Sequence, residues 1–576
     1  MKSSRRGRVP MTRRLAAIVV AALAVSTVSS SVGLAAPAAA KAGGEAIIGI
    51  DEVFAGFCFT ALVAGTAANA NSTINEALFT RTTNGDAIGL LASGATSTAD
   101  FKTWTITLRP GISYSNGQAF NASSVVENLD YMRGAKFVPA TYANLWTLGG
   151  SVTALSNIIG IRKIDDLTLA VDLFRPQNDF PESIAFPTFS MRATAQLANA
   201  TTCATTPIGT GPYMLQSSSN LELIVTKNPN YWRTDPTKPN VKLPYLDKLS
   251  FIVVPESSQR AAAVRTKTVD VALFSGGTSS TFIKDLAKRK SVVKVINTPV
   301  RYYPTLWLNQ GNGGPFTDLN ARLAVVNCVD RATFNKVRLK GGGVVPTSAV
   351  GDQNVMYNKA GFTPFNVAKS KGYVAAYLAA NPGKTKLEFS MPVDPATQTQ
   401  NNAKFMQQTF ASCGITMNIV NETQPVWLSK ALNVVTGKNA YDAVYVTLLT
   451  ETGVSVNFPF LATNSFPADS TNPLKFLRGT LGAAFSLTHH TDTTIDDLLW
   501  QARAATTKTA EVAAYKAVTK KIQEQGILTS TVNFGYAYVS NNKSKLSAPG
   551  QVVIVKGKKT PPVIPAWVDW AGISKG

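Results

Sequence analysis

Residues 103–108, Thr-Trp-Thr-Ile-Thr-Leu, set Trp104, Ile106 and Leu108 against Thr103, Thr105 and Thr107. A period of two predicts a strand with one buried face, and the Pro110-Gly111 that follows ends it in a turn. The pattern then changes to helical spacing. Asn121 stands where a helix cap belongs, Val125, Leu129 and Met132 fall on one face, and Ser124 and Glu127 have capping-box spacing. Ala46–Ile50 and residues 221–226 read as strands, and 245–274 runs strand, helix, strand. A strand up to Asn309 precedes a glycine loop and a helix opened by Thr317 and Asp318, with Leu319, Leu323 and Val326 on one face. Lys386–Met391 and Ile415–Val420 flank a helix near 398–412. Two more helices, near 494–505 and 509–525, close the pattern, the second ended by Gly526. Helices and strands alternate without an internal repeat, which predicts an α/β protein.

At 576 residues the chain exceeds what one core can serve, so two or more domains are expected; 45% hydrophobic and 16% charged residues describe a folded chain. The N-terminus reads as an export signal. Lys2, Arg5, Arg6, Arg8, Arg13 and Arg14 precede the apolar run Leu15–Val25, and small residues at Ala38-Ala39-Ala40 or Ala40-Lys41-Ala42 offer a cleavage site. Serines and a threonine from Ser26 onward interrupt the run well short of the about 20 residues a membrane span needs. Residues 1–40 are therefore expected to be removed, leaving a soluble extracytoplasmic chain. Thr12-Arg13-Arg14 leaves twin-arginine export open. The first cysteine, Cys58, lies far beyond this segment, so no lipoprotein acceptor is expected.

Charge adds a second property. The first 40 residues hold six of the 56 basic residues and no acidic one, so the rest keeps a net charge of about +16. The densest stretch, Lys284–Lys294 (KDLAKRKSVVK), reads as one solvated helix face and its exit. Attraction to an anionic cell envelope or an acidic ligand is the expected consequence, not nucleic-acid binding.

Catalytic and metal patterns are weak. His489 and His490 are adjacent and cannot chelate one ion together, so a surface pair is expected and no metal or cofactor site. Asn381-Pro382-Gly383-Lys384-Thr385 ends like a phosphate loop but has Leu378 where the first glycine belongs, which leaves a turn. Ser540-Asn541-Asn542-Lys543 matches S-x-x-K and Ser455-Val456-Asn457 matches S-x-N, two parts of a penicillin-binding-type site, but they stand in the wrong order and no K-T-G follows. An extracellular serine acyltransferase or hydrolase is thus the minor alternative. PIGTGPYML, 207–215, lacks the third glycine of a dinucleotide loop and leads into a strand.

Four segments taken together carry a family resemblance: WTITLRPGISYSNGQAFNASSVVENLDYM, PIGTGPYML, VTKNPNYWRTDPTKPNVKLPYLDKLSFIVVPESSQRAAAVRTKTVDVAL and PFTDLNARLAVVNCVDRATFNKV. Their order and spacing resemble the extracytoplasmic solute-binding proteins of peptide- and nickel-type ABC importers, solute-binding protein family 5, from about residue 45 to the end. The resemblance implies two α/β lobes of the periplasmic-binding-protein type joined by a hinge that the chain crosses twice. Lobe I would span 45–302 with an inserted subdomain at 75–190, lobe II 303–544, and 545–576 would return to lobe I. It implies a monomeric receptor that captures a peptide or other small solute in the interlobe cleft and presents it to a membrane permease. A sensor or adhesion module on the same fold is the remaining alternative. It makes G-T-G-P-Y a buried structural turn, with glycine for φ freedom, proline for fixed φ, and Tyr213 and Trp232 packed nearby. It also implies disulfides Cys58–Cys203 and Cys328–Cys413, one in each lobe, each contributing up to roughly 4–5 kcal/mol in the chain-entropy model.

One departure bears on the ligand. Peptide-binding relatives carry, after a Tyr-Asp strand, an aspartate that pairs with the peptide amino group; in the matching stretch, 441–459, no aspartate follows the strand and Glu451 is the substitute acid. The resemblance assigns ligand contacts to Phe57, Tyr302, Tyr303, Tyr445 and Phe458, with Glu451 and Asn457 as polar partners, a mixture suited to a mostly apolar pocket.

Overall fold

The computed structural model describes residues 42–51, 57, 69–70, 72–82, 85–133, 155–197, 200–433, 438–447, 458, 460–463, 486–547, 554–555, 558–559 and 568–576. The expected export signal and its cleavage sites lie outside them.

A mixed seven-stranded sheet dominates the first region. Its order is Val293–Tyr302, Phe534–Asn541, Val271–Phe274, Glu45–Ile50, Lys248–Val253, Glu222–Lys227, Tyr213–Ser218. Glu45–Ile50 is parallel to both of its neighbours, Lys248–Val253 and Val271–Phe274. The two neighbours are joined through the helix Ser257–Thr266, as a crossover between parallel strands requires. Ile48, Ile50, Leu249, Phe251 and Val271 are fully buried in this sheet's core.

A separate four-stranded antiparallel sheet, Ala92–Ser97, Thr103–Leu108, Thr168–Leu173 and Ile158–Lys163, has its own apolar cluster. The expected alternation holds: Trp104, Ile106 and Leu108 are buried while Thr107 is exposed. The helix Ala122–Met132 presses Val125, Leu129 and Met132 into that cluster. Asn121 caps it, but the capping box is completed by Ser124, whose hydroxyl accepts from the Asn121 N–H, and not by Glu127.

Beyond Tyr302 the sheets are smaller. Thr305–Leu308 is flanked by Ala443–Val446 and Leu528–Ser530, and Leu387–Val393 pairs in parallel with Ile415–Asn421. Helices Leu319–Asn327, Val367–Ala380, Thr397–Ser412, Thr493–Ala504 and Lys508–Glu524 pack around them. In the first of these Ala321, Ala324, Val325 and Val326 are buried but Leu319 is exposed. The helix is rotated from the expected phase because Arg322 turns inward, its guanidinium donating to the carbonyls of Gln525 and Phe316. Cys328 and Cys413, each just past a helix end, form the expected disulfide with Cα atoms 6.4 Å apart. Cys203 is buried; Cys58 lies outside the described residues, so the second pairing is not described.

The strand Phe534–Asn541 pairs with Val271–Phe274 and Val293–Tyr302 although it falls inside the 303–544 span expected for the second lobe. The chain is back in the seven-stranded sheet by Phe534, earlier than the resemblance implied.

Candidate ligand cleft and its clasp

Two short segments connect the seven-stranded sheet to the three-stranded one. The chain leaves at Tyr302, paired with Phe534, and enters the next sheet at Thr305, paired with Ser530. The Thr531 N–H donates to the Pro304 carbonyl at 2.9 Å, so outgoing and returning segments run side by side. Tyr302 meets Tyr536 edge-on, ring centroids 4.7 Å apart, and the Tyr445 hydroxyl lies 2.8 Å from Thr531 Oγ1. Burial pushes both phenols up, Tyr445 to about 12, and both stay neutral hydrogen-bonding groups at any ordinary pH.

A second bridge joins the regions away from these segments. Asn178 Nδ2 donates to the carbonyls of Ala502 and Ala505 at 3.2 and 3.0 Å, and its N–H donates to the Arg503 carbonyl at 2.8 Å. Ala502 and Arg503 lie in the last turn of the helix Thr493–Ala504, where carbonyls have no i+4 N–H partner, and Ala505 is its cap residue. Arg503 Nε lies 3.4 Å from Asp179 Oδ1, with the two side chains 5% and 13% exposed. The Arg503 guanidinium also lies 3.8 Å from the Phe458 ring centroid and 5.4 Å from that of Trp500, and Arg175 covers Trp500 at 5.0 Å. Phe180 belongs to the cluster of the four-stranded sheet, whereas Phe458, Leu499 and Tyr515 belong to the cluster around Trp307. The clasp is thus polar and aromatic where it spans two cores that do not merge.

Arg81 lies next to this bridge, buried, donating to the Glu182 carbonyl at 2.8 Å and stacked 3.7 Å from the Phe186 centroid. Burial pushes its guanidinium down to about 9, against the pull of Glu182, Asp179 and Tyr302.

The expected contact residues separate into groups. Tyr302, Tyr445 and Phe458 stand at the connecting segments or the clasp. Phe57 is 1% exposed in the core of the seven-stranded sheet, its carbonyl accepting from Arg192 Nε at 3.1 Å, and Tyr303 is fully buried in the cluster around Trp307. Glu451 and Asn457 lie outside the described residues. Asn178, Asp179, Arg503 and Arg81 were missed. Some 324 residues separate Asn178 from Ala502, and no local pattern links them.

Other motifs resolve into structure. The carboxylate of buried Glu76 accepts from Tyr231 Oη at 2.7 Å, Trp232 Nε1 at 2.9 Å and Thr210 Oγ1 at 3.3 Å, which ties the G-T-G-P-Y turn to Asn228–Trp232. Neither Gly209 nor Gly211 has a left-handed φ, so the expected reason for glycine is corrected: a Cβ at either would overlap the Ile74 carbonyl, to which Gly211 N–H donates at 2.9 Å. His490 is buried, its Nε2 2.7 Å from the Leu461 carbonyl, and so is not half of a surface pair; burial holds its pKa below the ordinary value. Ser540 is buried in the sheet opposite Val271 and Lys294, closed to a substrate, and Ser455 lies outside the described residues. Asn381 ends the helix Val367–Ala380 in a turn. Among the described residues no group of His, Cys, Asp or Glu is arranged to hold a metal ion, and no helix is long and apolar enough to cross a membrane.

Two α/β regions joined by paired strands, with a polar bridge between their cores, define a two-lobed binding-protein fold. Solved structures match it over almost the whole chain. AgaA from A. tumefaciens R10, in complex with agropinic acid, superposes with a TM-score of 0.74 at 19% identity, covering 92% of this chain and 99% of that one. DppA from Helicobacter pylori, in complex with the peptide STSA, gives 0.72 at 17%, covering 93% and 98%. At such identities the likeness is one of fold. Residues 86–462 match the bacterial extracellular solute-binding proteins, family 5 (middle), and the chain belongs to that family. The nickel-binding periplasmic protein of Escherichia coli K12 is 30% identical over 206 residues, 35% of this chain and 36% of that protein. The glutathione-binding protein GsiB of Salmonella typhimurium LT2 is 28% identical over 267 residues, 45% and 48%. The matched segments thus span about a third to a half of these relatives' lengths.

Proposed function

We propose that this protein is the extracytoplasmic receptor of an ABC importer, exported by a cleaved signal within residues 1–40, which captures a small solute between two lobes and presents its closed form to a permease. Lobe I is the region of the seven-stranded and four-stranded sheets together with the return from Phe534; lobe II lies between the connecting segments. The observation that carries this reading is the pair of side-by-side crossings at 303–304 and 531–533, with polar contacts between the regions at the Asn178–Asp179–Arg503 clasp and where Lys284 Nζ donates to the Lys340 carbonyl at 2.8 Å. A polar bridge can be exchanged for water when the cleft opens, whereas a shared apolar core cannot. Ligand then acts by favouring the closed state over the open one, and no covalent step is required.

Tyr302, Tyr445 and Phe458, with Glu451 and Asn457, line the ligand side of the cleft in this reading. Asp442 is not the missing amino-group anchor: its carboxylate accepts from Ser390 N–H and Oγ and from Asn312 Nδ2, which leaves Glu451 as the candidate acid. Relatives and structural neighbours named for nickel, glutathione, peptides and agropinic acid set the panel to try. Ligand at 100 times its dissociation constant adds roughly 2.7 kcal/mol to stability. Thermal melting of the purified chain against that panel is expected to rise with at least one compound and to show one binding site by calorimetry. A flat response across it, with uptake unchanged in a deletion strain, would sink the importer reading and leave a sensor or adhesion module.

A further inference from the structure

The basic run near 284–294, unremarkable as a helix exit, is joined in three dimensions by charges from two other elements. Arg265 and Lys267 end the helix Ser257–Thr266; Lys288, Arg289, Lys290 and Lys294 follow the helix Gly276–Ala287; Lys543 and Lys545 follow the strand Phe534–Asn541. All eight are exposed. Hydrogen bonds hold the three segments together at one end of the seven-stranded sheet. Asn541 Nδ2 donates to the Val264 and Arg265 carbonyls at 2.7 and 3.3 Å, Asn542 Nδ2 donates to the Lys290 carbonyl at 2.9 Å, and Lys294 pairs with Ser540 in the ladder.

Acids nearby do not cancel this charge. Asp285 lies 3.5 Å from Lys288, and Glu45 is taken up by Lys248 at 3.1 Å. Asp270 is buried and accepts from Ile47 N–H and Ser544 Oγ. Both helix C-termini point their carbonyl ends here, which stabilises cations in place and explains how so many fit together.

We propose that this end of the protein is an electrostatic docking surface for an anionic phospholipid membrane. Three observations favour a lipid surface over nucleic acid. The stretches 265–268, 288–294 and 542–545 contain no aromatic residue, and base stacking needs aromatic platforms. The charges come from three separate segments, two helix ends and a strand exit, and not from one continuous run. The chain also belongs to a family of extracellular proteins. Location within the fold gives the surface its use. Val293, opposite Asn541, starts the strand that ends at Tyr302, so the patch lies about 30 Å along the strands from the connecting segments. Contact there holds the protein at a membrane while leaving the cleft free to open and close, whichever solute it carries.

Vesicle cosedimentation of the purified chain in about 0.1 M salt tests this, with phosphatidylcholine vesicles carrying about one quarter phosphatidylglycerol against pure phosphatidylcholine. Two variants of equal charge change are compared: Lys288→Glu, Arg289→Glu and Lys290→Glu combined, and Lys369→Glu, Lys371→Glu and Lys384→Glu combined, the second set being exposed on and after the helix Val367–Ala380. The wild type is expected on the anionic vesicles only. The first variant should lose binding about tenfold or more and the second less than about twofold, both melting with the wild type. Equal losses in the two variants would assign binding to total charge and overturn the proposal. So would indifference to phosphatidylglycerol, or retention by soluble polyphosphate or single-stranded DNA without retention by vesicles.

Discussion

Two carboxylates, one enclosed and one partly exposed, show how the same chemistry serves opposite ends. Glu76, within one lobe, accepts from three neutral donors on two neighbouring segments and is enclosed. Asp179, between regions, lies 3.4 Å from the Arg503 guanidinium, is hydrogen-bonded by Tyr515, feels Arg81 as well, and keeps 13% exposure. The first is a permanent tie, because each donor left behind would be buried without a partner. The second is a contact that water can replace, since its side chains lie at the edge of two separate cores. On the proposed receptor reading, charge inside a lobe fixes structure and charge between lobes is the part that exchanges with water.

The largest expected break in that contrast comes from the turn that Glu76 secures. Gly211→Ala forces a Cβ against the Ile74 carbonyl and should cost about 3 kcal/mol of stability in denaturant unfolding, with no gain from left-handed φ to explain it. A loss below about 0.5 kcal/mol would mean that the turn yields.

Next is Glu76→Gln, which keeps shape but sets an amide N–H₂ against a donor; about 1–3 kcal/mol should be lost. The pH dependence sharpens this. Burial raises the Glu76 pKa above its ordinary 4.5, chiefly by desolvation and against the pull of Arg233 and the three donors. A raised folded value means that the folded state holds the proton more tightly. Its stabilising contribution is therefore present in full below 4.5 and is lost as pH rises through the folded value. The stability gap between wild type and Glu76→Gln should widen on acidification from neutral pH; a gap that narrows would contradict the raised pKa.

The last effect, and the most telling for function, belongs to the clasp. Asp179→Ala and Arg503→Ala each leave a largely buried partner without its counter-charge and should cost about 1–3 kcal/mol in global unfolding, and should move the unliganded ensemble toward a larger radius of gyration in X-ray scattering. The double variant should fall short of the sum of the two single ones, because both lose the Asp179–Arg503 contact. Unchanged scattering in all three would make the bridge a fixed interface.

Much of the framework was legible before any contact was known. The alternation of Trp104, Ile106 and Leu108, the Asn121 cap and the face of Val125, Leu129 and Met132 report local geometry, and local geometry repeats with a fixed period. Exposure of Leu319 and burial of His490 were not legible. The first follows from Arg322 reaching Gln525, the second from Leu461 offering a carbonyl, and both partners are distant in sequence. The candidate site divides in the same way: aromatic residues near the crossings were named from the family pattern, while Asn178, Asp179 and Arg503 have no local signature.

What the sequence determined by itself was the α/β alternation, the family and the excess of positive charge, because periodicity, motif order and composition are properties of the chain read along its length. What only the tertiary structure decided was why Gly209 and Gly211 must be glycine, which acid locks and which one latches, and where Arg265, Lys290 and Lys543 meet. Those depend on which atoms folding brings within a few ångströms of each other, and that proximity is written in no single stretch of residues.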